Sequence, residues 1–458
     1  MNENFSNANI DSSSYELSSF EWILIIISIL AVNLGERLGV KPICYVGCIF
    51  PICISLVSKE KAMLVILITF INNRAFAIGS ISLYTIITFE YFFMSIFKQR
   101  HNGRIELKFN SSDIFLLMFG IVQCFFYQDL GFFFTSYLKV ILVLYFLRNI
   151  IQSGVYDTTK LWKALVTYLV IGTSISSIIA ILVNPSLLDE TRFSFANNAG
   201  ENFAGIQVAI AAIDALILFL CDFSKGKRIV FVLCFFILSY IGVITASKTF
   251  LVTYVFSLVI ISVAVIISFD IKTVSRLMLF IIIALIGIKL LISLFPSINQ
   301  SITYIMNRLL SPKNDDVSNG RYDIWKMYYD VYSNNLGYLL FGSATYTNVG
   351  INKMAHNMYI ELICGYGIIG TLFFTVAYCK SLLTIKKDAM TYSFWKKIIS
   401  FVPIFMVLIS GMSSHSLASF TSTMQLFIGI LSISVIPKVL KEKKNESSYC
   451  YGNEYSDN

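Results

Sequence analysis

The chain has 458 residues, of which 56% are hydrophobic and 14% charged, and its mean hydropathy is +0.73. Soluble domains carry roughly 25% charged residues, so this composition excludes a soluble globular protein. It also excludes a closed barrel, whose short segments alternate apolar and polar residues. The net charge of +8 is spread over short connectors rather than gathered on one stripe, which gives no indication of a nucleic-acid partner.

Residues 1–19 are polar, carry three acids and no base, and lack the basic start of a signal peptide. Apolar runs then recur to residue 437. A helix crossing the hydrocarbon core needs about 20 apolar residues, fewer where the ends snorkel. The runs predict about fourteen helices, near 20–33, 40–57, 61–75, 79–97, 113–127, 131–147, 160–183, 203–221, 229–246, 249–269, 276–295, 357–379, 397–413 and 418–437. Some early ones are short enough to merge or re-enter, which gives 12–14 transmembrane helices in an all-α polytopic membrane protein. The nine cysteines are scattered, mostly in apolar runs. Cys44, Cys48 and Cys53 share one predicted helix and read as buried thiols rather than a disulfide or a metal site.

Basic residues orient the helices, because cytoplasmic loops are enriched in Lys and Arg. The connectors 57–63, 98–108, 224–228 and 386–397 and the tail 438–444 all fall on one side if the helices alternate. That side is expected to be the cytoplasm, with both termini on it. The organisation expected is a cytoplasmic tail (1–19), an N-terminal group of membrane helices (20–295), a large extracytoplasmic loop (296–356), C-terminal membrane helices (357–437) and a cytoplasmic tail (438–458). In the large loop, "QSITYIMNRLL" and "RYDIWKMYYDVY" place apolar and aromatic residues at helical spacing. Each is expected to form a short amphipathic helix on the membrane surface.

Ionisable residues at the outer face are costly and therefore candidates for function. They are Arg74 in "INNRAF", Arg192 in the loop 184–203, Lys248 in the turn "TASKTF", Arg321 in "GRYDIW", and His356 with Asn357 before the helix at 357. Each also has a structural reading. Arg74 and Lys248 fit bases that snorkel to headgroups, Arg321 fits a surface pair with Asp323, and His356 fits a helix-end residue bonded to backbone. The remaining histidines, His101 and His415, read as a solvated face and a helix end. Taken together, several bases and one histidine on a single face suit an anionic substrate. A diphosphate fits best, since guanidinium groups bind phosphate oxygens in pairs and a histidine serves as general base near neutral pH. No carboxylate cluster on that face points to a metal, and no cofactor is expected.

Residues 319–372 carry a longer pattern: Gly320, Arg321 and Trp325; Phe341 and Gly342; His356, Asn357, Tyr359 and Ile360; and Gly367 to Gly370. This resembles the O-antigen ligase and Wzy-type polysaccharide polymerase superfamily. "TASKTFLV" resembles the family's basic turn with Lys248 in place of the usual Arg, and "TRFSFANNAGENFAG" resembles its Arg-bearing loop, with Arg192 and Asn202 as counterparts. The chain departs from the pattern at Ala344, where the family has glycine, and at Gly365, where it commonly has an acid.

The resemblance implies a metal-independent glycosyltransferase of the C type in the bacterial cytoplasmic membrane, with its site facing outward. The donor is an oligosaccharide on undecaprenyl diphosphate, within the lipid bilayer. His356 and Arg321 take the catalytic roles. Arg192, Lys248 and Arg74 bind the diphosphate, and Asn357 and Tyr359 orient the histidine or the acceptor. The expected activity is polymerisation of lipid-linked repeat units for capsule, O-antigen or exopolysaccharide, with a chain-length regulator protein as a partner. The alternatives are a ligase that moves glycan to lipid A-core or another surface acceptor, a lipid-linked oligosaccharide flippase or transporter, and a structural membrane subunit.

Overall fold

The computed structural model describes residues 16–72, 75–79, 81–101, 110–152, 158–185, 195, 201–221, 224–245, 247–268, 270–294, 303, 320–383, 393–412 and 420–440. Among these, each apolar run named above is helical over most of its length, the run 79–97 only from Leu83. The first helix, α1 (Ser19–Leu38), opens on a capping box. Ser18 Oγ accepts the Glu21 N–H at 3.3 Å, and a Glu21 carboxyl oxygen accepts the Ser18 N–H at 2.8 Å. The helix outlasts its apolar run, expected to end at 33, because Glu36 near its end pairs with Lys41 at 2.6 Å and Gly39 closes it at φ 68°.

There follow α2 (Lys41–Ser55), α3 (Lys59–Ile68), α4 (Leu83–His101) and α5 (Ser111–Tyr127). A small antiparallel ladder, Ala77–Ile78 with Ile81–Ser82, separates α3 from α4. A short turn Leu130–Phe132 and a π-helical stretch Phe133–Leu138 lead into α6 (Lys139–Gln152). Next come α7 (Thr158–Val183), α8 (Glu201–Leu220), α9 (Lys225–Ile244), α10 (Lys248–Ile267) and α11 (Ile271–Leu294). The C-terminal part holds α12 (Arg321–Ser333), α13 (Leu336–Phe341), α14 (Met358–Leu383), α15 (Phe394–Ser410) and α16 (Phe420–Val439).

Six of the described helices are long and apolar enough to cross a membrane: α1, α7, Phe203–Leu220 within α8, α9, α10 and Met358–Lys380 within α14. The chain is therefore an all-α, multi-pass membrane protein. Other predicted spans, such as Lys41–Ser55 and Ser111–Tyr127, are apolar helices below the length of a straight crossing.

α8 is the axis of the bundle. The stretch Phe203–Leu220 is 94% buried, so it meets protein on every side rather than lipid. It packs against α7, α9 and α10. Lipid supplies no hydrophobic force between helices, so polar ties and close packing hold them. Gln425 Nε2 on α16 donates to Gln207 Oε1 on α8 at 2.7 Å, and Trp162 Nε1 on α7 donates to Ser432 Oγ on α16 at 2.9 Å. α10 shows the opposite pattern. Val252, Val255, Phe256, Val259 and Val263 form an exposed stripe at helical spacing, the face turned to lipid. Of the three cysteines in α2, Cys44 and Cys48 are buried as expected, whereas Cys53 is exposed.

Candidate functional site

The site region is organised by a break in α14. Gly367 sits at φ 67°, ψ 176°, a conformation open essentially only to glycine, inside an otherwise continuous helix. A break at this point releases backbone carbonyls that bilayer hydrocarbon cannot satisfy. Protein satisfies them instead. The Cys364 carbonyl accepts the Ser343 N–H at 2.8 Å, and the Gly365 carbonyl accepts the Ala344 N–H at 3.1 Å.

This lays the segment after α13 directly on the broken helix. The approach is so close that only glycine fits on both strands. A Cβ at Gly342 (φ 75°) would stand 2.4 Å from the Gly365 carbonyl oxygen, and one at Gly367 would stand 2.3 Å from the Leu340 carbonyl oxygen. Ala344, where the related pattern has glycine, is buried at φ 63°, so this position too is left-handed.

Gln123 of α5 completes the junction. Its Nε2 donates to the carbonyls of Phe341 at 2.8 Å and Gly365 at 2.7 Å, and its Oε1 accepts the Tyr137 hydroxyl proton at 2.7 Å. Tyr127 donates to the Gly342 carbonyl at 2.6 Å. Gln123 was not among the residues singled out from the sequence. Its signal is an amide inside an apolar run, which needs internal partners when buried in a membrane.

α12 is clamped onto this framework along one face. Trp325 Nε1 donates to the Ala355 carbonyl at 2.8 Å, the Tyr328 hydroxyl to the Lys353 carbonyl at 2.9 Å, and the Tyr332 hydroxyl to the Cys364 carbonyl at 3.1 Å. Tyr332 also shares a 2.5 Å hydrogen bond with Ser343 Oγ. These positions recur at the spacing that stacks side chains on one helix face. Burial pushes the Tyr328 and Tyr332 hydroxyls above the ordinary tyrosine value, so both remain donors. The expectation of an amphipathic helix here holds for its existence, but its aromatic face packs on residues 343–364 rather than on the membrane surface. Tyr322, Met327 and Tyr329 are left exposed on the other side.

Arg321 is the first residue of α12, after Gly320 in the left-handed conformation. It lies four residues, about one turn, before Trp325 on the clamped face. Its guanidinium is half-buried, and burial lowers its pKa from the ordinary arginine value. It makes no ion pair with Asp323 or with any other described residue, so the surface-pair reading does not hold.

His356 follows Ala355, the residue held by Trp325, and is exposed. Its backbone is left-handed at φ 49°, and its N–H donates to Glu361 Oε1 at 3.1 Å. Asn357 is buried and caps α14. Its Oδ1 accepts the N–H groups of Tyr359 at 3.0 Å and Ile360 at 3.3 Å. That commits its side-chain oxygen to the backbone of the first turn. The Tyr359 hydroxyl donates to the Leu408 carbonyl at 2.6 Å, which ties α14 to α15. The Met358 N–H reinforces the same joint through the Gly411 carbonyl at 2.8 Å.

Lys248 opens α10 after Ser247, whose Oγ accepts the Phe250 N–H at 3.3 Å. The turn meets the first part of α8 at Gly205, and α10 packs along α15. Trp325 thus ties α12, which begins at Arg321, to the segment before His356, and His356, Asn357, Tyr359 and Glu361 stand together at the head of α14, with Lys248 on a helix adjoining α15. Arg74, Arg192, His415 and, apart from Thr303, the predicted helix in "QSITYIMNRLL" lie outside the described residues, as does the side chain of Asn202.

No family model matches the sequence, and no curated protein matches it at a significant level.

Proposed function

We propose that the chain is a membrane glycosyltransferase that joins oligosaccharide units carried on a polyprenyl diphosphate, a polysaccharide polymerase. The observation that carries this reading is the half-buried guanidinium of Arg321. It has no counter-charge among the described residues and stands one helical turn from the indole that holds the chain beside His356. A partly desolvated cation is costly unless an anion completes it. A diphosphate leaving group supplies such an anion, and a guanidinium fork matches its oxygens.

In this reading His356 takes the proton of the acceptor hydroxyl as that oxygen bonds to the anomeric carbon of the donor. The bond from that carbon to the diphosphate breaks, and the electron pair leaves with the phosphate oxygen. Arg321, with Lys248 and the two arginines Arg74 and Arg192, offsets the negative charge that develops there. The left-handed backbone of His356, pinned by Glu361 and by the Asn357 cap, keeps the histidine at the head of α14 rather than within it.

The test is the glycan made in cells. His356→Ala and Arg321→Ala should each remove long-chain polymer while single lipid-linked units remain on the outer leaflet. Full-length polymer in either variant sinks the assignment. Units held on the inner leaflet would indicate a flippase, and loss of transfer to a surface acceptor with polymer intact would indicate a ligase.

A further inference from the structure

A second feature of the junction is an apolar cavity of about 310 Å³ between α5 and α13. Phe119, Val122, Phe126, Tyr127, Tyr338 and Phe341 line it. Several polar groups in its wall are already engaged. Both N–H bonds of Gln123 go to backbone carbonyls, the Tyr127 hydroxyl goes to Gly342, and Asn335 Oδ1 accepts the Tyr338 N–H at 3.2 Å. What faces the cavity is therefore mostly ring faces and methyl groups. Outside it the apolar surface continues: Phe125 is 81% exposed and Phe126 80%, so an occupant enters from the lipid side.

The cavity is built onto the candidate site rather than merely near it. Phe341 is in its wall, and the next residue, Gly342, lies on the broken helix at Gly365 and Gly367. α13 follows α12 directly, and Arg321 is at the far end of α12. Thirteen helical residues rise about 20 Å. A lipid phosphate held at Arg321 therefore reaches the cavity with a later stretch of its chain, not with its first carbons.

We propose that this cavity binds the polyisoprenoid tail of the lipid-diphosphate donor, a chain whose methyl branches and double bonds pack against aromatic faces. The proposal rests on the donor class named above. It predicts that the protein measures chain length: a donor with a short prenyl group ends before the cavity, and one with a long chain fills it.

The test uses the full-length protein in lipid nanodiscs and two donors bearing the same oligosaccharide diphosphate, one on a long and one on a short prenyl chain. Val122→Trp fills the cavity from a half-exposed position, and a thermal midpoint equal to wild type confirms that the variant folds. It should lower the preference for the long donor, as the ratio of kcat/KM values, by about tenfold, through KM. An unchanged ratio overturns the proposal. A benzophenone side chain at position 126 provides a readout free of turnover. Crosslinking to a long-chain polyprenyl diphosphate that is suppressed by unlabelled polyprenyl diphosphate supports the cavity even if no transfer occurs. Suppression by phosphatidylglycerol instead overturns it. Absence of transfer from either donor by the wild-type protein, with crosslinking intact, counts against the glycosyltransferase reading alone.

Discussion

The bundle around α8 and the junction around Gly367 solve the same problem in opposite ways. α8 keeps an unbroken helix, so its backbone groups satisfy one another, and its side chains need only fit their neighbours. α14 breaks its helix, and the freed carbonyls are met by Ser343, Ala344, Tyr332 and Gln123, from three other parts of the chain. The first arrangement tolerates change wherever volume is conserved. The second depends on particular donors, and it is the one that carries Arg321 and His356.

The contrast orders the effects of substitution. The largest is expected at the crossing of the two glycines. Gly367→Ala and Gly342→Ala each add a Cβ within 2.4 Å of a backbone atom and force a non-glycine residue into positive φ. Each should cost about 3 kcal/mol or more and lower the thermal midpoint or the yield of folded protein in detergent. A stability equal to wild type would show that the crossing is not built as described. Next is Gln123→Leu. It leaves the Tyr137 hydroxyl and the Phe341 carbonyl without this partner, and its cost should be about 2 kcal/mol on the same measure.

Trp325→Phe removes one hydrogen bond and keeps most of the ring. About 1 kcal/mol of stability should go with it. Transfer should fall more than stability, because the lost bond holds the residue before His356. Equal losses in both would reduce Trp325 to a packing residue. Asn357→Ala should cost about 1 kcal/mol as a lost helix cap, and Asn357→Asp should restore it. The smallest effect is expected on the lipid-facing stripe of α10. Val259→Ala there should stay within about 0.5 kcal/mol of wild type, and a larger change would mean that this face is covered by protein.

Much of the fold was readable in the sequence because hydropathy reports what a membrane demands. The helices appear where the apolar runs predict them, and the differences lie at the ends. α1 runs to Leu38 through polar residues that no apolarity criterion includes, since Glu36 finds Lys41 only after the chain turns. The pattern glycines were legible as a motif but not as geometry. Gly342 and Gly367 look like two ordinary turn residues until the chain is seen to cross itself there. Gln123 was legible only as an amide inside an apolar run, without its partners, because Phe341 and Gly365 are 218 and 242 residues away. Asn357 was read as part of the chemistry because it adjoins His356, whereas position alone makes it the residue best placed to cap the helix that starts at Met358. Most residues of the block thus build the junction, with Arg321 half-buried at the start of α12 and His356 exposed at the head of α14.

The most direct measurement is glycan transfer by the purified protein in nanodiscs with a polyprenyl-diphosphate-linked oligosaccharide, comparing wild type with His356→Ala and Arg321→Ala variants of unchanged thermal midpoint. The account predicts chain elongation by the wild type and a loss of about 100-fold or more in kcat/KM in each variant. Elongation at wild-type rates in folded His356→Ala protein would contradict it.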